Sequence, residues 1–177
     1  MGLMKALLLL SLLLISSCRS VPNLPPIGTV ASVDLTRFAG DWFVIANIPT
    51  FIETQAFNAI ESYSEPVGNK IATTFSFNKG GFDGKKKMYH PTAFIREGSG
   101  NAVWGMQFVW PIKAEYRVVY LDPDYQFTII GRSKRDYVWL MARKPIIADT
   151  DYDRLLKIIA EEGYDLRKIR RVPQQIL

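Results

Sequence analysis

The side chains that most often carry out catalysis are scarce in this chain of 177 residues. It contains one histidine, His90, and one cysteine, Cys18. A single histidine cannot build a multi-histidine metal centre, and His90 stands beside Pro91, where a surface position is more common than a catalytic one. No glycine-rich phosphate loop or Ser-His-Asp arrangement is present, and the acidic pair Glu161 and Glu162 falls on a predicted solvated helix face. We therefore expect no enzyme, no metal and no cofactor.

The cysteine offers a different chemistry, because it follows a segment with the features of an export signal. Lys5 precedes an apolar run at 6–15, and Ile15-Ser16-Ser17-Cys18 resembles a bacterial lipobox, in which a cysteine becomes the lipid-modified amino terminus. We predict a signal peptide at 1–17 and lipidation of Cys18; a spare cysteine after a plain secretory signal is the alternative. Arg19 replaces the aspartate that would retain a lipoprotein in the inner membrane, which favours the outer membrane, facing the periplasm.

The charge balance is that of an ordinary exported domain. The formal net charge is +5, and loss of Lys5 with the signal lowers it by one. Basic residues cluster at 85–87 and at 167–171, where solvated surface charge is the main interpretation and contact with anionic lipid head groups the alternative. Nucleic acid is not an expected partner, since the chain has no aromatic and basic repeat. A single cysteine also excludes a disulfide within the chain.

After the signal, the chain divides into a tether and one domain. Residues 18–32 include Pro22, Pro25 and Pro26 and few structure-forming residues, which predicts an extended tether. Residues 33–177 form the predicted domain, with eight strands bounded by turn residues. The predicted strands are 42–48, 59–64, 70–77, 86–95, 102–110, 115–121, 125–131 and 137–143. Pro91, inside the fourth strand, marks a bulge or a break.

One helix follows the strands. Asp149 or Thr150 can cap it, apolar residues recur at helical spacing from Tyr152, and Gly163 ends it, while residues 166–172 can add a short final strand. Eight antiparallel strands can close into a barrel that removes the sheet edges and holds one small ligand, with the helix outside. The strand pattern alone leaves a two-sheet sandwich open.

Residues at the two ends of the predicted sheet favour the barrel. Gly40 and Trp42 open the first strand, and Arg143 ends the eighth, where its guanidinium can stack on the indole. Together with the turn Asp122-Pro-Asp-Tyr125, these residues resemble the lipocalin family, in its bacterial and apolipoprotein D-like branch, over 33–175. The resemblance implies an all-β fold, an eight-stranded antiparallel up-and-down β-barrel with one C-terminal α-helix packed outside. It also implies structural roles for Gly40, Trp42 and Arg143 at the closed base and for Tyr125 in a turn.

The interior of such a barrel is the predicted binding site. Strand alternation, with its parity fixed by the large aromatics and by the Trp42 and Arg143 pair, predicts which side chains point inward. The predicted ligand-binding residues are Val44, Ala46, Phe75, Phe77, Trp104, Met106, Phe108, Tyr116, Val118, Tyr120, Phe127, Ile129, Trp139 and Met141. This apolar wall with a few phenols and indoles suits an acyl chain whose polar end sits near the mouth. Each such residue is also an ordinary core residue, so the prediction depends on the barrel.

The first long loop, between Pro49 and Asn58, contains the apolar residues Phe51, Ile52 and Phe57. Two interpretations remain open for it: a lid over the barrel mouth, or a loop folded onto its own small cluster.

These features predict a lipid-binding protein anchored to a membrane. We expect it to bind and carry or store fatty acids, lysophospholipids or similar amphiphiles in the bacterial envelope. The alternative is a structural or interaction lipoprotein of the outer membrane whose barrel is filled by its own side chains. The expected partners are the lipid ligand and the outer membrane through the Cys18 anchor; a homodimer is left open.

Overall fold

The structure is a computed structural model that describes residues 25–176. The predicted signal peptide, Cys18 and the first part of the tether, up to residue 24, lie outside the described residues.

The described residues form one antiparallel sheet that closes on itself. Its strands are, in chain order, β1 (Gly40–Ile48), β2 (Ala56–Tyr63), β3 (Lys70–Lys79), β4 (Lys85–Tyr89), β5 (Thr92–Ile95), β6 (Val103–Val109), β7 (Ile112–Leu121), β8 (Phe127–Gly131), β9 (Val138–Ala142) and β10 (Arg170–Arg171). Each strand pairs with its neighbour in the barrel, and β1 pairs with both β2 and β9. The predicted eight-stranded barrel is therefore confirmed.

The fourth predicted strand is broken at His90 and Pro91. Its two parts, β4 and β5, pair with successive lengths of β3 and so share one position in the barrel. Proline has no amide hydrogen for the ladder, but the Pro91 carbonyl still accepts a hydrogen bond of 3.1 Å from the Thr73 amide. Eight barrel positions result, and the two-residue β10 adds a short pairing beside β1.

The described residues contain two α-helices in addition to the barrel strands. The one-turn α1 (Leu35–Phe38) crosses the end where β1 begins, and Asp34 caps it by accepting from the amides of Thr36 and Arg37. The longer α2 (Asp149–Glu161) packs on the outer face of the sheet through Tyr152, Leu155 and Ile159. The residue at its N-cap position is Ala148, which makes no side-chain capping bond. The predicted cap at Asp149 or Thr150 is therefore wrong.

The barrel has a filled end and an open end. At the end where β1 begins, the rings of Phe38, Trp42, Tyr63 and Trp104 are packed together, with centroids 5.0 to 5.7 Å apart. At the opposite end lie the loops that follow β1, β3, β6 and β8. We call these the closed end and the open end. Aromatic rings thus fill the lower interior, and the upper part remains available for a site.

Residues 25–33 run along the outside of the barrel from the open end to the closed end. The Pro25 carbonyl accepts a bond of 2.7 Å from Arg135, in the loop after β8. Farther along, the Val30 amide donates to Val118 in β7 (3.0 Å), and the Val33 amide donates to Gly100 near the closed end (2.8 Å). We call this segment the N-terminal strap.

None of the helices within residues 25–176 combines the length and the apolar character of a membrane-crossing segment.

Candidate functional site

The closed end is sealed by Trp42 and Arg143. The Trp42 side chain is fully buried and donates from Nε1 to the Phe38 carbonyl at 2.9 Å. The Arg143 guanidinium lies 3.9 Å from the centre of the indole ring. It also donates to carbonyl oxygens of α1 and β1, at 2.7 Å to Arg37 and 2.9 Å to Asp41. These contacts tie the last long strand to α1, as a structural plug would.

The other two residues of the predicted motif also lie at this end. Gly40 has φ of +97°, and a Cβ placed there would come within 3.3 Å of Arg143 Nη1, so this position favours glycine on both counts. The Tyr125 hydroxyl accepts from the Asp34 amide at 2.9 Å, and the Arg37 guanidinium lies 4.1 Å from the centre of its ring. Tyr125 thereby joins the turn before β8 to the start of α1.

A cavity of about 430 Å³ occupies the open half of the barrel. Its walls come from strands on several sides and from the loop after β1. The residues around it are Thr50, Phe51, Ile52, Glu53, Glu61, Phe75, Tyr89, His90, Pro91, Met106, Phe108, Val109, Ile112, Ala114, Glu115, Tyr116, Arg132 and Trp139. Cavities of about 300 to 1,000 Å³ commonly hold small organic ligands.

Ten of the predicted wall residues point into the barrel, but only half of them reach the cavity. Those on the cavity are Phe75, Met106, Phe108, Tyr116 and Trp139. Those packed into the interior cluster around it are Val44, Phe77, Trp104, Val118 and Met141. The second group is too deep or too closely packed to line the open space. Ligand contact by the first group stays a prediction.

The predicted inward direction is wrong for the other four residues. Ala46 and Ile129 are buried in the outer cluster against α2, and Tyr120 and Phe127 pack against the same cluster. Register shifts between Val44 and Ala46 and between Val118 and Tyr120 reverse the alternation within β1 and β7. On β8 it is Ile130, rather than Ile129, that joins the interior cluster. Because these strands carry apolar residues on both faces, the sequence does not show where the side-chain direction changes.

Sequence reasoning missed a buried carboxyl group, Glu61, on the cavity wall. Glu61 Oε2 accepts a hydrogen bond of 2.9 Å from the Tyr63 hydroxyl, which also contacts the Tyr116 hydroxyl. Burial raises the pKa of Glu61 to about 7; the Tyr63 hydrogen bond acts against this rise, and the nearby Glu53 adds to it. Burial likewise holds the pKa values of Tyr63 and Tyr116 well above their ordinary value. Glu61 lies two residues before Tyr63 on β2, so both side chains lie on the same face of the strand. This spacing is the sequence signal that could have placed Glu61 inside the barrel.

A second missed acid, Glu53, holds the loop after β1 over the cavity. Its Oε1 accepts from the Trp139 indole at 2.7 Å, and its Oε2 accepts from the Thr50 amide and hydroxyl at 2.8 and 2.6 Å. The Arg170 guanidinium donates to the backbone carbonyls of Glu53 and Thr54. Residues 50–53 all border the cavity, so this loop covers part of the mouth, as one of the two interpretations predicted.

The mouth of the cavity also has polar residues. Arg132 lies there with its Nε buried and without a hydrogen-bond partner in the described residues, while its Nη1 is 3.5 Å from Asp136 Oδ2. Burial disfavours the charge of the nearby Glu115, but hydrogen bonds from Ser133 and Arg117 hold its pKa below the ordinary value. Arg132 therefore places a positive charge at the entrance of the cavity.

Across residues 25–176, no three His, Cys, Asp or Glu side chains come together as a metal-binding group would require.

A closed antiparallel barrel with an aromatic plug at one end and an apolar cavity at the other is the architecture of a small-molecule-binding calyx. Comparison with protein families agrees with this class, because the model of the lipocalin-like domain matches residues 33–174. The chain belongs to the lipocalin family.

Individual relatives show how far the similarity extends. The chain is 28% identical to temperature-induced lipocalin-1 of Arabidopsis thaliana, covering 82% of this chain and 81% of the relative. It is 26% identical to the outer membrane lipoprotein Blc of Escherichia coli strain K12, covering 91% and 90%. Insecticyanin from the tobacco hornworm Manduca sexta has the same fold at 19% identity, with a TM-score of 0.66 over 84% and 85% of the two chains.

Proposed function

We propose that this protein binds and carries or stores fatty acids, lysophospholipids or similar amphiphiles in the bacterial envelope. The observation that supports this function most directly is the cavity of about 430 Å³ inside a lipocalin barrel. A barrel filled by its own side chains, as a purely structural lipoprotein would have, leaves no such space. We assign binding as the activity because the cavity lies inside the barrel of a lipocalin-like domain.

The lining favours an acyl chain inside the barrel. Phe75, Met106, Phe108 and Trp139 offer apolar surface along the cavity. Burial of one methylene is worth about 0.8 kcal/mol, so ten buried methylenes contribute about 8 kcal/mol before the entropy cost of binding. A micromolar Kd corresponds to about 8 kcal/mol net, so contacts of the head group and of further methylenes must offset the entropy cost.

The charges favour a head group at the mouth. Glu53 and Glu61 are buried around the cavity, at 3% and 7% exposure, and neither acid offers an anionic head group a positive charge to pair with. Arg132 borders the cavity at its mouth, where its positive charge attracts a carboxylate or phosphate. The acyl chain therefore enters first, and its anionic end stays near Arg132.

The proposed location is the outer membrane, with the protein anchored through a lipid on Cys18 and facing the periplasm. The lipobox-like segment before Cys18 and the similarity to the Escherichia coli outer membrane lipoprotein support this location. Labelling cells with a radioactive fatty acid tests the anchor, since Cys18→Ala should abolish incorporation into this protein and release it from the membrane fraction. Incorporation that persists in Cys18→Ala would contradict the proposed anchor.

Two measurements test the ligand. Lipids extracted from the natively purified protein and identified by mass spectrometry should contain acyl amphiphiles in stoichiometric amounts. Titration with a fluorescent fatty acid should saturate at about one ligand per chain, and a bound unlabelled fatty acid should compete. Absence of saturable binding, with the barrel still folded by circular dichroism, would overturn the proposed function.

A further inference from the structure

Four large apolar side chains are exposed together at the open end of the barrel. They are Phe51, Val109, Trp110 and Ile112, at 87%, 67%, 82% and 69% exposure. Phe51 belongs to the loop after β1, and the other three form the hairpin between β6 and β7. We call this group the apolar rim. Phe51, Val109 and Ile112 border the same cavity, and exposed apolar side chains grouped around one mouth are typical of a contact with a partner or a membrane.

Lysines border the apolar rim. Lys79, Lys85 and Lys86 lie exposed where β3 and β4 meet at the open end, and Lys134 lies exposed in the loop after β8. The acids of this end are partly neutralised, because Asp136 is paired with Arg132 and Glu115 with Arg117. Asp83, two positions before Lys85, offsets one of these four lysines, so the group keeps a net positive charge. An apolar centre with cations around it is complementary to an anionic bilayer surface.

The direction of the N-terminal strap provides a second, independent argument. The described chain begins at Pro25, whose carbonyl contacts Arg135 at the open end. Pro25 is seven positions after Cys18, and a fully extended chain spans about 3.5 Å per position, or about 25 Å in total. A lipid attached to Cys18 would therefore hold the open end, rather than the closed end, near the bilayer.

We propose that the open end is a membrane-docking surface, with the apolar rim inserted into an anionic bilayer and the rim lysines over its head groups. Trp110 is the anchor of this surface, since an indole is favourable at the depth of lipid head groups. Docking in this orientation turns the cavity mouth toward the lipid, so an amphiphile can enter without crossing water. The transfer of ligand depends on the proposed function, whereas docking itself does not.

Vesicle binding by protein that lacks the lipid anchor tests this surface. The chain from residue 18 onward, with Cys18→Ala, keeps all of residues 25–176, within which the barrel closes. It should bind vesicles of phosphatidylglycerol and phosphatidylcholine in sedimentation assays, and more weakly as salt rises or as phosphatidylglycerol is omitted. Trp110→Ser should lower the partition coefficient about tenfold, and each of Lys85→Gln and Lys86→Gln about fivefold.

Val67→Ser is the matched control, because Val67 is 82% exposed at the closed end. It should leave vesicle binding unchanged. Equal binding of Trp110→Ser and the parent protein, or an equal loss in Val67→Ser, would overturn the docking surface. So would capture by a protein partner with no affinity for vesicles.

Titration of the same variants with a fluorescent fatty acid separates the two proposals. Trp110 does not border the cavity, so Trp110→Ser should keep its fatty acid affinity. Failed docking with saturable fatty acid binding would refute the docking surface alone, and docking without fatty acid binding would refute the proposed ligand alone.

Discussion

The Trp139 indole donates a hydrogen bond of 2.7 Å to Oε1 of Glu53, and this bond joins the barrel wall to the loop over the cavity. Glu53 is 3% exposed, so its Oε1 cannot easily exchange this partner for water. Trp139→Phe should lower the free energy of unfolding by about 1 to 3 kcal/mol, since it leaves a buried carboxylate oxygen without its donor. Urea denaturation measures this change. Trp110→Phe alters an exposed tryptophan at the same end and should cost much less; equal costs would refute the role of the bond.

Glu61 should make stability depend on pH. Burial raises its pKa from 4.5 to about 7, so the folded state keeps the proton between these pH values while the unfolded state releases it. The sign is therefore a loss of stability as pH rises from about 4.5 to 7, with full stabilisation below that window. At 1.36 kcal/mol per pKa unit, the loss is about 3 kcal/mol. The difference in unfolding free energy between the parent protein and Glu61→Gln should show this slope, and a difference that is flat across the window would contradict it.

Filling the cavity should block ligand binding without unfolding the barrel. Ala114 is half-buried and borders the cavity, so Ala114→Phe places a ring in the space that an acyl chain would use. We expect fatty acid affinity to fall about tenfold or more, as loss of about two buried methylenes would produce. Ala72→Phe adds the same ring at an exposed position of β3 and should bind normally. Similar affinities for the two variants, measured by fluorescence titration, would exclude this cavity as the site.

The plug at the closed end should support the whole fold. Trp42 is fully buried beneath Arg143, and Trp42→Ala should lower the free energy of unfolding by about 3 to 5 kcal/mol. The exposed Trp110 supplies the comparison, since Trp110→Ala should stay within about 0.5 kcal/mol of the parent protein. Thermal and urea unfolding check both values. A loss of fatty acid binding without a loss of stability in Trp42→Ala would contradict a structural role.

Turn residues and strand spacing were sufficient to predict the strands, and the lipocalin-like residues Gly40, Trp42, Tyr125 and Arg143 decided between a barrel and a sandwich. Proline and glycine mark where strands end, and Pro91 marks the break between β4 and β5. Residues 149–163 also carried a clear helical period, because α2 buries only one of its faces. These are local signals, and each one depends on a few neighbouring residues.

The cavity wall was harder to predict because it depends on long-range packing. Helix α2 covers the outer face of β8 and β9, so Ile129 and Ile130 are both buried although only Ile130 lies inside the barrel. The register shift after Val118 reverses the direction of Tyr120, and nothing in the apolar sequence around it reveals the shift. Glu53 and Glu61 were missed because a carboxyl group is rarely buried, and its burial here depends on donors supplied by Trp139 and Tyr63.

The N-terminal strap has a mechanical consequence. It runs lengthwise along the barrel, with its hydrogen bonds to Val118 and Gly100 spaced between the two ends. A pulling force applied at Pro25, along the barrel axis and away from the open end, would load these hydrogen bonds in shear, so they would share the force instead of breaking one after another. The attachment of the strap to the barrel is therefore resistant to force applied through the N-terminal segment.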